Sequence, residues 1–360
     1  MTVPPVPLRR QRGAALLTAL ITVTLVATLA AAALWRQWRA TEVEAAERSR
    51  LQASLVLAGA LDWSRLILAE DGRTGGADHL AEPWAVPLAE AKLTSFLAAD
   101  KNVASDALEG LPDAFLSGSI TDAQSRLNLR NLVDASGRPV LRAVAATRKL
   151  FDLLDLPPGQ VDTLVQQMRR ALLAGGVTQT PSSATGTDGT ATATASGTTA
   201  SAASASADDA SPSEGAPLMP QRVEQLGWLG LPADTVAAIA PYVTLLPANT
   251  PVNLNTASAE VIFAAVDQID MAGARKLVEV RRRKFFSDLA EASQQLSSAT
   301  DVQLTPGQVG ISTSYFEVRG RLRMDRYWVE EASLLHRTGT TVSIIWRQRN
   351  AGVQPTGGSG

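Results

Sequence analysis

The sequence predicts an α+β fold: a long N-terminal helix leading into an antiparallel sheet, with a large all-α insertion dividing the strands. Three features predict it. An uncharged apolar run from Ala14 to Trp35 continues into a Pro-free, Ala- and Leu-rich stretch as far as Leu68. A late block from Tyr315 to Arg347 carries short strand-like alternations, and helical periodicities fill the middle of the chain.

The N-terminal run is preceded by Arg9, Arg10, Arg12 and Gly13. At about 1.5 Å per residue, a helix over 14–35 is roughly 33 Å long, enough to cross the hydrocarbon core of a bilayer. The basic residues ahead of it favour a cytoplasmic N-terminus and send the rest of the chain across. Ala14, Ala15, Ala19, Ala27 and Ala30 to Ala33 keep the run small-faced, and Thr18, Thr22, Thr24 and Thr28 line it with hydroxyls. Such residues let helices approach closely and hydrogen-bond across the contact. The expected divisions are a leader at 1–13, a membrane half at 14–35 and a second half at 36–70, closed by Asp71, Gly72, Gly75 and Gly76.

Beyond the helix, 71–139 and 306–350 read as the α+β body and 140–305 as the inserted α subdomain. Residues 78–88 form a loop ordered by Pro83 and Pro87, with Trp84 buried and His79 structural. Residues 115–120 and 126–129 read as strands joined near Asp122 to Ser125 in a hairpin. Helices are expected over 140–154 and 160–173, with Pro157 and Pro158 between them, and the low-complexity Ala, Ser, Thr and Gly stretch 177–216 reads as disordered. Helices resume at Met219 and continue over 233–243, 258–266 and 272–284, with a short one from Ser287. Strands follow at 315–322, 328–335 and 341–347, with Gly339 at a hairpin turn and a flexible tail at 351–360.

The chain has 360 residues, a formal net charge of -2 and no cysteine. The charge argues against a dedicated polyanion binder, and the missing thiols remove disulfides, thiolate metal sites and cysteine nucleophiles. There is no phosphate-binding loop, nucleophile elbow or pair of metal histidines, and His79 and His336 are the only imidazoles. An enzyme is not expected.

A short basic leader ending in Gly13, followed by a charge-free helix that runs on into a large domain, resembles the type IV pilin and pseudopilin class. The resemblance implies cleavage by a prepilin peptidase between Gly13 and Ala14 and N-methylation at Ala14. Ordinary signal peptidase cleavage among Ala30 to Ala33 is the competing reading, against which the apolar run is longer than a signal core. The strings DHLAEPWAVPL at 78–88, Ser125 to Leu129, PVNLNTAS at 251–258 and the strand opened by Tyr315 and Phe316 resemble the minor pseudopilin K family of type II secretion systems. That implies a pilin-like body with a helix-hairpin-helix or SAM-like insertion, held by one span in a bacterial inner membrane with its domain in the periplasm. It also implies a place at the tip of a pseudopilus that supports export of folded proteins. Minor pseudopilins I and J, other pseudopilins and the prepilin peptidase are the implied partners.

Thr18 bears on the tip position. Pilins of the class generally carry Glu at the fifth residue of the mature chain, and an unpaired carboxylate in an apolar filament core would cost at least about 2.5 kcal/mol. A subunit with nothing above it gains by lacking that charge. For metals, related K subunits carry an acidic calcium-binding stretch where this chain reads Arg169, Arg170 and then small residues through Gly176. Calcium takes six to eight oxygens. Asp208, Asp209 and Glu214 are the remaining candidate ligands, in an incomplete cage, and no cofactor is otherwise expected. The alternative function is an exported, membrane-anchored DNA-binding or uptake protein. Asn253 to Ala257 with Arg281 to Phe285 resembles a helix-hairpin-helix unit, although Asp270 in the hairpin would repel a phosphate. No nucleic acid is expected on balance.

Overall fold

The computed structural model describes residues 14–98, 113–176, 215–296, 304–324 and 327–353. The leader through Gly13, almost all of 177–216 including Asp208, Asp209 and Glu214, and 354–360 lie outside the described residues. Helix α1, Ala14–Thr74, spans 61 residues. Its uninterrupted helix formers explain its length, roughly 90 Å at the rise of an α-helix. It ends where Gly75 and Gly76 take positive φ, 64° and 119°. The stop expected near residue 70 is therefore one turn early, because Asp71 and Gly72 still sit in helical geometry.

The sheet consists of β1 (Leu88–Lys92), β2 (Ala114–Asp122), β7 (Tyr315–Met324), β8 (Tyr327–Thr338) and β9 (Thr341–Val353), in that spatial order. Every neighbouring pair is antiparallel. The last third of α1 lies across one face. Ala53 and Leu57 pack with Leu116, Leu322 and Val329, while Leu61 and Leu68 pack with Trp84, Phe316, Val318, Leu335 and Val342. At roughly 2 kcal/mol for each buried leucine, this seam holds helix to sheet. Arg65 adds hydrogen bonds to the Val342 carbonyl on β9, at 3.2 and 3.0 Å.

The α insertion has its own core, running from Leu127 to Val309. It contains α3 (Leu141–Leu153), α4 (Gly159–Gly176), a 3-10 turn at Val223–Leu229, α5 (Ala233–Ile239), α6 (Ala259–Ala265), α7 (Met271–Arg283) and α8 (Leu289–Gln294). Two short parallel ladders brace it: β3 (Leu127–Asn128) with β4 (Val243–Thr244), and β5 (Val252–Asn253) with β6 (Val309–Gly310). A six-residue helix α2 (Leu93–Ala98) follows β1.

The expected hairpin between 115–120 and 126–129 does not form. β2 pairs with β7 from Ala114 to Asp122, and the chain then turns through a 3-10 step at Ala123–Ser125, where the Asp122 side chain accepts from the Gln124 amide. Leu127 and Asn128 pair inside the insertion instead. The insertion thus begins about a dozen residues before 140 and runs to β6, and the last strand extends through 351–353, which the sequence reading placed in a flexible tail.

Gly72 shows why the end of α1 is where it is. A Cβ there would lie 2.3 Å from the Gly339 carbonyl oxygen in the β8–β9 turn, whereas at Gly59, on the open side of the same helix, it would meet nothing within 4 Å. Gly72→Ala should therefore lower stability by about 1–3 kcal/mol through this overlap. Gly59→Ala should raise it by about 0.4–1 kcal/mol, through helix propensity and a less mobile unfolded chain. Urea unfolding of the two variants measures both, and the signs should be opposite.

Candidate functional site

Among the described residues, nothing covers the first part of α1. From Ala15 to Gln52 its side chains are exposed, including Leu16, Ile21, Val26 and Leu34. An 18-residue window of this helix has a mean hydropathy of 2.2, which suits hydrocarbon rather than water. Trp35 and Trp38, with ring centroids 5.3 Å apart, stand where Arg36 and Arg39 first interrupt the run, as aromatic and basic residues do at a membrane interface. The hydroxyls of Thr18, Thr22, Thr24 and Thr28 donate to the carbonyls of Ala15, Ala19, Ile21 and Leu25 at 2.9–3.0 Å. Their protons are thus satisfied within the helix. Ala14 opens α1, and its neighbour Gly13 lies outside the described residues.

The apolar exposure continues along the half of α1 that rests on the sheet. Leu51, Leu55, Trp63 and Leu66 are between 56 and 73% exposed and, with Gly59, repeat at helical spacing on the side away from the sheet. Contiguous exposed apolar surface of this kind marks a contact surface, and an exposed glycine within it leaves room for another helix to approach.

A buried polar junction fixes this helix to the rest of the molecule. Asp78, in the loop after α1, accepts from the Thr313 amide at 2.7 Å and from Arg337 of β8, and Arg337 also donates to Asp71 of α1. Asn253 of β5 donates to the Asp78 carbonyl at 3.1 Å and to the Asp122 carboxylate at 2.9 Å. Asp122 further accepts from Thr256 at 2.6 Å and from Gln124 at 2.7 Å. Burial pushes the Asp122 carboxyl up against the pull of these donors. Asn128, Asn131 and Asn255 close loops of the insertion in the same way, each bonding backbone more than thirty residues away.

The strings 78–88 and 251–258 therefore meet in one place, which is structural rather than catalytic, while 125–129 pairs within the insertion. Sequence reasoning singled out the strings but missed Asp71, Asp122 and Arg337, whose partners lie more than a hundred residues off in sequence. No local signal marks them, because their flanks are themselves polar: Glu70 and Arg73, Thr121 and Gln124, His336 and Thr338. His79 stacks on Phe285 of the insertion with centroids 3.8 Å apart, in keeping with its structural reading.

Asp71, Asp78 and Glu82 present oxygens within 4.8 Å of one another. They do not fit a calcium cage, because the Arg337 guanidinium already bridges Asp71 and Asp78 and supplies the compensating charge. The helix-hairpin-helix resemblance meets a similar obstacle. Asp270 accepts from the Gly273 amide at 2.7 Å, and Lys149 donates to the Val266 and Ile269 carbonyls, so the hairpin carries a carboxylate where a phosphate would need amides.

Two family models match, both described as type II secretion system protein K: one over residues 125–248 and one over 252–313, together just over half of the chain. The type II secretion system protein K of Pseudomonas aeruginosa is 27% identical over 357 residues, spanning 96% of this chain and 92% of that protein. A chain in the crystal structure of the GspK-GspI-GspJ complex from the enterotoxigenic Escherichia coli type 2 secretion system aligns at a TM-score of 0.55. It is 18% identical and covers 85% of this chain and 98% of its own.

The junction carries a pH dependence. Burial pushes the Glu82 carboxyl from its ordinary 4.5 up to about 7, although the His79 amide and the Trp84 indole both donate to it, at 2.9 and 2.7 Å. Between those values the folded chain holds more protons at Glu82 than the unfolded chain, so its contribution to stability falls as pH rises through that window. His79, pushed down by burial against the attraction of Asp71 and Asp78, acts in the opposite direction in both wild type and variant. Glu82→Gln keeps an acceptor for both donors but cannot ionise. Its melting temperature should gain on that of the wild type as pH is raised from 5 to 8, and thermal melts at unit intervals of pH check it.

Proposed function

This chain belongs to the protein K family of the type II secretion system, the minor pseudopilins K, and on that premise we propose that it stands at the tip of a periplasmic pseudopilus. Members of the family are structural components of a secretion machine, and the chain is not an enzyme. The observation that carries the pseudopilus-subunit reading is α1, whose first part is bare on every side and whose last third alone is seated on a sheet. A helix with that distribution anchors in a membrane and then joins a bundle of similar helices. The N-terminus lies in the cytoplasm and the large domain in the periplasm, as Arg9, Arg10 and Arg12 before the apolar run favour.

In this reading a prepilin peptidase cuts between Gly13 and Ala14 and Ala14 is N-methylated. Minor pseudopilins I and J pack along the exposed stripe from Leu51 to Leu66, with Gly59 as the point of closest approach. A solved structural neighbour that is a complex of K with I and J supports that expectation. The α insertion, added beside the sheet, blocks the addition of a further subunit above, and Thr18 removes the carboxylate that would have no partner there. The subunit then initiates or caps a filament that others extend from below, supporting export of folded proteins across the outer membrane.

Processing is checked by mass spectrometry of the mature chain, which should begin with a methylated Ala14, and Gly13→Arg should leave the leader attached. A mature chain that starts after Ala32 or Ala33 would sink the reading. Position is checked by cross-linking tagged subunits at the stripe around Gly59. Wild type should appear once per filament with neighbours on its lower side only, and Thr18→Glu should initiate filaments poorly. Recovery of this subunit along the shaft, with neighbours above and below, would overturn the tip assignment.

A further inference from the structure

On the face of the insertion formed by α6 and α7, a cleft of about 560 Å3 is walled by Thr256, Ser258, Arg275, Glu279, Arg281 and Arg282. Its charges do not balance. Glu279 is shared by Arg282 at 3.3 Å and Arg283 at 4.0 Å, while Arg275 and Arg281 pair with no carboxylate among the described residues. Arg281 is partly buried and makes one hydrogen bond there, to the Leu254 carbonyl. A neutral carbonyl leaves most of its donors and all of its charge uncompensated. Burial, together with Arg282 beside it, pushes the Arg281 guanidinium down to about 10, the direction expected of a cation that lacks a counter-charge.

The structural explanations cover only part of this. Basic residues in the last turn of α7 complement the helix dipole, which accounts for Arg281 to Arg283 as a group. It does not account for Arg275, which lies in the first half of α7, nor for turning Arg281 inward against a carbonyl.

We propose that this cleft receives the carboxylates of an acidic segment of a partner protein, with Arg275 and Arg281 as its counter-charges. Planar guanidinium groups bind carboxylates in paired hydrogen bonds, and a partly desolvated one does so with the least competition from water. A nucleic acid fits less well. Asp270 occupies the hairpin that would hold a phosphate, Glu279 interrupts the basic wall, and a cleft of this size takes a few side chains rather than a duplex. The site lies on the insertion, apart from α1, and does not depend on the tip position.

The test uses the full chain in neutral detergent and fluorescence anisotropy with a labelled hexaglutamate peptide, a labelled hexaglutamine peptide and a short DNA duplex. Hexaglutamate should bind, less tightly as salt rises, and hexaglutamine should not. Arg275→Gln and Arg281→Gln should each weaken hexaglutamate binding by about tenfold, while Arg170→Gln on α4 leaves it unchanged. Arg275 is exposed and makes no hydrogen bond or ion pair among the described residues, so its variant keeps the fold even if Arg281→Gln disturbs the loop at Leu254. Equal binding of hexaglutamine, or an Arg275→Gln affinity within about twofold of wild type, overturns the proposal. Tighter binding of the duplex with the same arginine dependence overturns it in favour of nucleic acid.

Discussion

The chain of contacts from Asp71 through Arg337, Asp78 and Asn253 to Asp122 is what makes one molecule of a helix, a sheet and an insertion. Each link joins a different element: α1, β8, the loop after α1, β5 and the end of β2. The apolar seam under α1 orients the helix on the sheet, but that seam does not reach the insertion, whose core is a separate cluster. The two cores meet through these polar groups and through a small apolar cluster of Ala123, Leu246, Tyr315 and Leu334, and in a water-poor site the polar groups are costly unless every one is paired. Removing one partner leaves the others unsatisfied, so the junction holds or fails as a unit. That cooperativity lets a helical subdomain be carried as an insertion without loosening the sheet into which it is inserted.

The sequence made the outline of this fold legible wherever one periodicity persisted over many residues. The apolar run from Ala14, the amphipathic helices at 141–153 and 271–283, and the strands from Tyr315 onward stand close to where the pattern put them. It misled where a short alternation had two interpretations. Leu127 and Leu129 flanking Asn128 read as the return strand of a hairpin, yet Asn128 sends its side chain to Ala248 and Thr250 and draws the segment into the insertion. Pairing of that kind is invisible to local pattern because the partner is more than a hundred residues away. The resemblance strings at 78–88 and 251–258 signalled that those residues mattered, but only the fold shows that they matter to one another. Thr18 was legible as a departure from the class. Arg281 was legible only as part of a basic run, because its exposure is decided by tertiary packing.

The two ends of α1 illustrate how one helix meets two solvents. Over 51–68 the sequence alternates a sheet-facing set, Ala53, Leu57, Leu61 and Leu68, with an outward set, Leu51, Leu55, Trp63 and Leu66. A helix that ended its work at the sheet would carry polar residues on the outward side. Here the charged residues Glu47, Arg50, Asp62 and Arg65 pair locally along the helix, at 2.9 and 3.0 Å, and leave the apolar stripe open. Exposed pairs of this kind contribute less than about 1 kcal/mol each, so they do not explain the surface. They keep it soluble until a neighbour covers it.

The hydroxyls of the membrane half show the same economy of satisfied groups. A threonine in hydrocarbon must place its proton, and bonding to the carbonyl three residues back does so without a partner subunit. A glutamate at position 18 could not be satisfied that way, since a carboxylate accepts and cannot donate to a backbone carbonyl. Its charge would need a donor or a cation beside it. Threonine therefore removes from this position the need for a donor or cation beside it, which is what the proposed tip position would require.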